Sequence, residues 1–195
     1  MSEKNEKRMV EVVVHGRGGQ GAVTAALLMG KVALLDGWND MISIPIIGAE
    51  RRGAPIRAFL RISKDEIRVY SGITRPDAVL VFDDSLLAKE EIRATLKDCA
   101  VLVNTSKPPN GLHLPGCEIY HVDATGISLE EELLVAGDPV LNVPMMGAFA
   151  RMTGYITMES IVRVVSKEFG RSKLEKNEMA ARKAYERLSK VNGRD

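Results

Sequence analysis

The residues with the clearest capacity for chemistry lie near the N-terminus, where Gly16, Arg17, Gly18, Gly19, Gln20 and Gly21 form the pattern G-x-G-x-x-G. Glycines at these spacings let a backbone turn sharply and approach a ligand closely, and the free N–H groups of a following helical turn offer donors to an anion. A pyrophosphate fits such a cradle. Here the pattern follows a β-branched run, Met9 to His15, and precedes a proline-free stretch rich in Ala, Leu and Met from Gln20 to Leu35. Strand, glycine turn and helix together are the context the motif requires. A P-loop would place Lys and Ser or Thr directly after the last glycine, but Ala22 and Val23 stand there, which excludes Walker-type NTPase chemistry. A dinucleotide site wants an acidic residue at the end of the second strand, whereas Asp36 and Asp40 precede that strand and Ile44-Pro45 occupy its end. Three readings stay open: an anion or phosphate ligand, a tight turn packed on another chain with no ligand, and an NAD(P) site.

A second cluster, Gly48 to Pro55 (GAERRGAP), sets Arg51 and Arg52 between glycines after a strand. Guanidinium forks bind carboxylate or phosphate bidentately, so the pair could clamp a charged ligand, anchor a partner subunit, or be satisfied locally by Glu50. The remaining polar residues carry less. His15, His113 and His121 are dispersed and form no triad with a nucleophile; a lone histidine is read as structural. Asp83-Asp84 read as a helix cap, and Met145-Met146-Gly147-Ala148 as a close-packed seam. Cys99 reads as a buried hydrophobe beside its strand, and no Cys-x-x-Cys pair exists to hold zinc or an iron–sulfur cluster. No catalytic residue and no metal ligand is assigned to this chain.

The elements that position these residues alternate. After the first βα unit, Met41 to Ile47 is a second apolar segment interrupted by Pro45. Ile56 to Ile62 with Glu66 to Tyr70 suggests a β-hairpin, and Ala78 to Phe82 and Ala100 to Val103 read as buried parallel strands flanking a helix from about Ser85 to Lys97. Glu118 to Val122 is a last strand, followed by helices over Ser128 to Ala136, Met145 to Thr153 and Met158 to Phe169. The expected fold is a three-layer α/β/α arrangement with a mostly parallel, mixed sheet that contains a β-hairpin and a Rossmann-like first βα unit. One α/β domain is expected over residues 9–170. A charged helix from Lys173 to Lys190, within the segment 171–195, packs on it through a stripe of Leu174, Ala181, Tyr185 and Leu188.

Length and charge narrow the partners. A chain of 195 residues can bury a core without disulfides or a structural metal, and a net charge of +1 leaves no electrostatic footprint for nucleic acid or an anionic membrane. No apolar run reaches the roughly 20 residues needed to span a bilayer, and Met1 to Arg8 are polar, so export is not indicated and a cytoplasmic location is expected.

HGRGGQGAVTAA (His15 to Ala26), GAERRGAP, AFLRIS (Ala58 to Ser63), RPDAVLVFDDSLL (Arg75 to Leu87) and NVPMMGAFARMTG (Asn142 to Gly154) together resemble the gamma subunit of 2-oxoacid:ferredoxin oxidoreductases, closest to the pyruvate and ketoisovalerate branch. The resemblance covers roughly Val10 to Ile161. It implies a part in the CoA-dependent oxidative decarboxylation of a 2-oxoacid such as pyruvate to an acyl-CoA and carbon dioxide, with electrons passed to ferredoxin. It further implies thiamine diphosphate and magnesium between alpha and beta subunits, and [4Fe–4S] clusters in beta and delta subunits. This chain would be inactive alone, with coenzyme A as a possible ligand of Gly16 to Gly21 and Arg51/Arg52, and a homodimer possible once it is isolated.

Overall fold

A computed structural model describes residues 7–46, 53–109, 112 and 114–191. His113 and most of the second loop, Arg51 and Arg52 included, lie outside the described residues. Strand β1 (Met9–Arg17) leads into helix α1 (Ala22–Leu35), which returns the chain to β2 (Asp40–Ile46) and then β3 (Pro55–Ser63). Strands β4 (Ala78–Val81), β5 (Ala100–Asn104) and β6 (Glu118–Val122) follow, with a 3-10 turn (Asp84–Ala88) and a one-turn helix α2 (Glu90–Arg93) after β4. The last part comprises α3 (Ala124–Glu130), a small hairpin of β7 (Leu134–Val135) and β8 (Asp138–Pro139), α4 (Asn142–Thr153), α5 (Met158–Phe169), α6 (Arg171–Arg187) and β9 (Ser189–Lys190).

Seven strands form one sheet in the order β2-β3-β1-β4-β5-β6-β9. β1, β4, β5 and β6 are mutually parallel, while β3 runs antiparallel between β1 and β2, and β9 antiparallel to β6. The sheet is therefore mixed and mostly parallel, as the sequence led us to expect. The sheet contains an antiparallel pair of consecutive strands, but its members are corrected: β3 pairs with β2 on one edge and β1 on the other, with Ile62 opposite both Met41 and Val10, so no edge remains for Glu66 to Tyr70. Those residues form no strand. Pro45 is tolerated within β2 because that strand is the sheet's edge, where a missing N–H costs no ladder bond.

Period-two alternation divides β1 between two cores. Val10, Val12 and Val14 face α1 and α4 to α6, whereas Val13 faces Val79, Val81, Val101 and Val103 and the 3-10 turn. The first face is the thicker. On the second, the expected helix from Ser85 to Lys97 is replaced by the 3-10 turn and α2, separated by Lys89 in an extended conformation. Leu86, Leu87, Ile92 and Leu96 are all buried there. At about 3.6 residues per turn these four would point around a continuous helix instead of along one stripe, and breaking it brings them all onto the sheet. Likewise the helix expected over Ser128 to Ala136 is corrected to an earlier one: the Asp123 carboxylate caps α3 by accepting from Gly126 N at 2.7 Å. The chain then turns through Ala136 and Gly137, both with positive φ, the signature of a two-residue hairpin.

Helix α1 is buried through Ala22, Ala25, Ala26, Leu28, Met29, Val32 and Ala33, but Leu27, Leu34 and Leu35 are exposed, so its apolar girdle is only partly covered. α4 is buried almost throughout and meets α6 at Gly147, where a Cβ would stand 2.1 Å from the Ala181 carbonyl oxygen. That seam sets the position of α6, which buries Asn177, Ala180, Ala181 and Ala184 and ends at Arg187. Leu174, Tyr185 and Leu188 pack against the same core at its margin. Ser189 and Lys190 leave the helix and add β9 to the sheet, an extension the charged sequence did not suggest.

Candidate functional site

The carboxyl ends of β1 and β4 are neighbours, and the chain leaves them in opposite directions: α1 carries it toward β2, while β4 leads on to β5. In open α/β sheets such a divergence opens a crevice at the carboxyl edge, where ligands bind. The glycine loop lies in it. Gly16 closes β1 so tightly on the helix that a Cβ would stand 2.8 Å from that of Ala22 and 3.3 Å from that of Phe82. Gly21 caps α1 with φ 86°, a left-handed conformation open to glycine at little cost, and a Cβ there would meet Asn142 at 3.2 Å. Two of the glycines thus answer to packing.

The other loop residues are tied to one another and to distant segments. Arg17 N donates to Gln20 Oε1 at 2.8 Å, and Leu141 N to the Gln20 carbonyl at 3.1 Å, so Gln20 braces the turn against the start of α4. The Arg17 guanidinium donates to Asp83 Oδ2 at 2.6 Å, Ser85 Oγ at 2.8 Å and the Gly53 carbonyl at 3.2 Å. Burial pushes the Asp83 carboxyl up, but hydrogen bonds from Ser85 and Arg17 outweigh it and hold the group below its ordinary range. Asp83 also caps the 3-10 turn, accepting from Ser85 N at 3.0 Å, as the sequence indicated. Arg17 is therefore a brace between two sheet ends, with its charge already matched.

The two motifs of the sequence meet here. Gly18 N donates to the Ala54 carbonyl at 2.9 Å and Gly53 N to the Gly18 carbonyl at 3.1 Å, so the descending end of GAERRGAP is hydrogen-bonded to the glycine loop. Arg51 and Arg52 precede Gly53 directly in sequence and lie outside the described residues. Gly19 N and Gly21 N have no acceptor among the described residues, which leaves them as donors for an anion beside the first turn of α1. A depression of about 300 Å³ lies against Gly19, lined by Arg17 to Gln20, Gly53, Thr125, Asp138, Pro139 and Leu141. It adjoins a second, about 450 Å³, that shares Gln20 and Thr125 and contains Asp83, Asp84 and Asp123. Negative side chains dominate this second part, so phosphate groups are better matched to the glycine end.

Sequence reasoning missed several residues of this edge. Asn104 ends β5, is buried, and donates to the Phe82 carbonyl and to Thr125 Oγ1, each at 2.9 Å, while its Oδ1 accepts from Thr125 N at 3.2 Å. It joins the ends of β4 and β5 to the start of α3. Thr125 and Leu141 were also unmarked. The available signal is position: Asn104 ends one parallel strand and Asp123 directly follows another, at the edge where such folds bind ligands.

His15 behaves as the structural histidine the sequence suggested. It is 5% exposed, sits opposite Arg57 in the β1–β3 register, and its Nε2 has no hydrogen-bond partner among the described residues. Burial, and then the Arg57 charge, push its pKa from 6.5 down to about 4. The dinucleotide reading loses further support from the topology: β3 is inserted between β1 and β2, so the end of β2 is not adjacent to the glycine loop as a ribose-binding carboxylate would have to be.

With this geometry established, comparison with known proteins is consistent and extensive. Residues 11–187 match the family model for pyruvate ferredoxin/flavodoxin oxidoreductase. The pyruvate synthase subunit PorC of Methanocaldococcus jannaschii is 42% identical over 95% of this chain and the whole of that protein. The common gamma subunit of the pyruvate/ketoisovalerate oxidoreductases of Pyrococcus furiosus is 43% identical over 92% of this chain and 97% of its own length. Among solved structures, the pyruvate oxidoreductase subunit PORC of Thermotoga maritima superposes with a TM-score of 0.81 at 34% identity, over 95% of this chain and all of that one. The chain belongs to the pyruvate ferredoxin/flavodoxin oxidoreductase family.

Proposed function

We propose that the chain is the gamma subunit of a cytoplasmic pyruvate:ferredoxin oxidoreductase and that its glycine-loop edge contributes to the coenzyme A site of the assembled enzyme. Its partners are then alpha, beta and delta subunits, which hold thiamine diphosphate, magnesium and [4Fe–4S] clusters and pass electrons to ferredoxin. The complex converts pyruvate and coenzyme A to acetyl-CoA and carbon dioxide. The observation that carries the ligand part is the reciprocal pair of hydrogen bonds between Gly18 and Gly53-Ala54. These bonds tie the segment that follows Arg51 and Arg52 to a turn whose Gly19 and Gly21 N–H groups have no acceptor among the described residues. Coenzyme A presents a pyrophosphate and a 3′-phosphate, for which backbone N–H groups at a helix start and arginine forks are suitable donors. Arg17, matched to Asp83, positions the loop instead of gripping the ligand.

A second reading, in which the loop packs on a partner subunit without any ligand, draws on Gly16 and Gly21, whose lack of a side chain is already needed for internal contacts. The two readings separate in the assembled enzyme carrying Arg51→Ala and Arg52→Ala. The ligand reading expects a coenzyme A KM raised by about tenfold or more, as loss of charge-assisted contacts implies, with the pyruvate KM and assembly unchanged. An unchanged KM for coenzyme A overturns the ligand role and leaves packing.

A further inference from the structure

We propose that Cys99 and Cys117 form a reversible dithiol–disulfide site that fastens the starts of β5 and β6 together at the sheet edge opposite the glycine loop. Each cysteine directly precedes its strand, and the strands pair in parallel with Ala100 opposite Glu118. The cysteines therefore stand opposite each other one step earlier, where Glu118 N donates to the Cys99 carbonyl at 3.2 Å. Their sulfurs are 3.5 Å apart. Neighbouring strands run about 4.8 Å apart, within the Cα separation that a disulfide spans, so closure needs side-chain rotation and little backbone movement. The chain is also shaped to hold this approach. Asp98 and Gly116, the residues before the two cysteines, are both left-handed, with φ 52° and 68°. They fit so closely that a Cβ on Gly116 would stand 2.0 Å from Asp98 Oδ1, and Asp98 N donates to the Pro115 carbonyl at 3.2 Å.

The two thiols have unequal roles. Cys99 is buried and Cys117 is half-buried. Burial, together with the neighbouring Cys117, pushes the Cys99 thiol up to about 12, which keeps it protonated. Cys117 is thus the thiol that reacts first. As a thiolate it attacks one sulfur of a small-molecule disulfide, forming a mixed disulfide and releasing one thiol. Cys99 then gives up its proton and attacks Cys117 Sγ, which forms the Cys99–Cys117 bond and releases the second thiol. The protein loses two electrons and two protons, and the oxidant's S–S bond takes them up as two thiols. Between the cysteines the chain crosses from the carboxyl edge of the sheet to its amino edge with no helix among its described residues, so the bond closes that crossover at its base.

The test equilibrates the full chain with oxidised and reduced glutathione over a range of ratios, traps free thiols under denaturing conditions, and maps the peptides by mass spectrometry. The proposal expects one Cys99–Cys117 bond within each chain, complete reversal on reduction, and a Tm raised by roughly 5–10 °C in the oxidised form. Cys117→Ser, altered only at the more exposed position, is expected to show neither the bond nor the Tm rise. Bonds formed only between chains, thiols that stay free at the most oxidising ratio, or an equal Tm rise in Cys117→Ser would each overturn it.

Discussion

At the scale of single residues, a buried cation, a half-buried one and a buried imidazole show how this chain handles charge. Arg61 is 2% exposed, yet its Nε donates to Glu11 Oε1 at 2.7 Å and its guanidinium reaches the Val69 carbonyl at 3.2 Å, so the charge is paired and hydrogen-bonded. Arg17 is treated alike by Asp83 and Ser85. His15 Nε2 has no partner among the described residues, and the imidazole stays neutral instead, with its pKa near 4. The unfolded chain takes up a proton below pH 6.5 while the folded one does not until about 4. Stability from this group is therefore complete above pH 6.5 and falls as the pH drops toward 4, by up to about 3 kcal/mol over that window. Denaturant unfolding of the wild-type chain and of His15→Leu at pH 7 and pH 4.5 checks this. The wild type should lose more stability than the variant, and equal losses would show that His15 is not responsible.

At the scale of elements, glycines decide where backbones come close. Gly147→Ala would drive a Cβ into the Ala181 carbonyl, which belongs to the backbone of α6 and cannot simply rotate aside. We expect a loss of about 1–3 kcal/mol, typical of overpacking, measured as a fall in the denaturant midpoint with the m-value unchanged. A neutral outcome would mean that α6 is not held by that seam. Most elements were legible in the sequence where periodicity and burial agreed: the four-residue AVLV run of β4 is buried throughout, and α5 presents Ile161 and Val165 to the core within the bounds read from sequence. Legibility failed where partners are remote in sequence. Glu66 to Tyr70 has the composition of a strand, but β3 is already paired on both edges by segments that composition alone cannot rank. Apolar spacing between Leu86 and Leu96 fitted a helix poorly, and the short turns that replace it follow from the sheet surface beneath them. At the site, the glycine motif was readable because its geometry is local. Asn104 and Thr125 were not, since their pairing depends on two strand ends brought together across 21 positions of sequence.

At the scale of the whole molecule, the C-terminal half of the chain serves the N-terminal motif. α4 supplies the Leu141 contact to the glycine turn, α6 locks α4 in place at Gly147, and β9 closes the far edge of the sheet. The described residues contain no group of three or more His, Cys, Asp and Glu side chains able to hold a metal ion, and no helix long and apolar enough to cross a membrane. Under the proposed function the chain is one component of a larger enzyme, shaping a ligand edge while its partners carry the redox chemistry. The direct test is to purify the complex from cells that express the alpha, beta and delta subunits with or without this chain, and to measure pyruvate- and CoA-dependent reduction of ferredoxin. Under the proposed function, full turnover is expected only when the chain is present, and it is recovered when the purified chain is added back. Equal turnover from the three remaining subunits would contradict it.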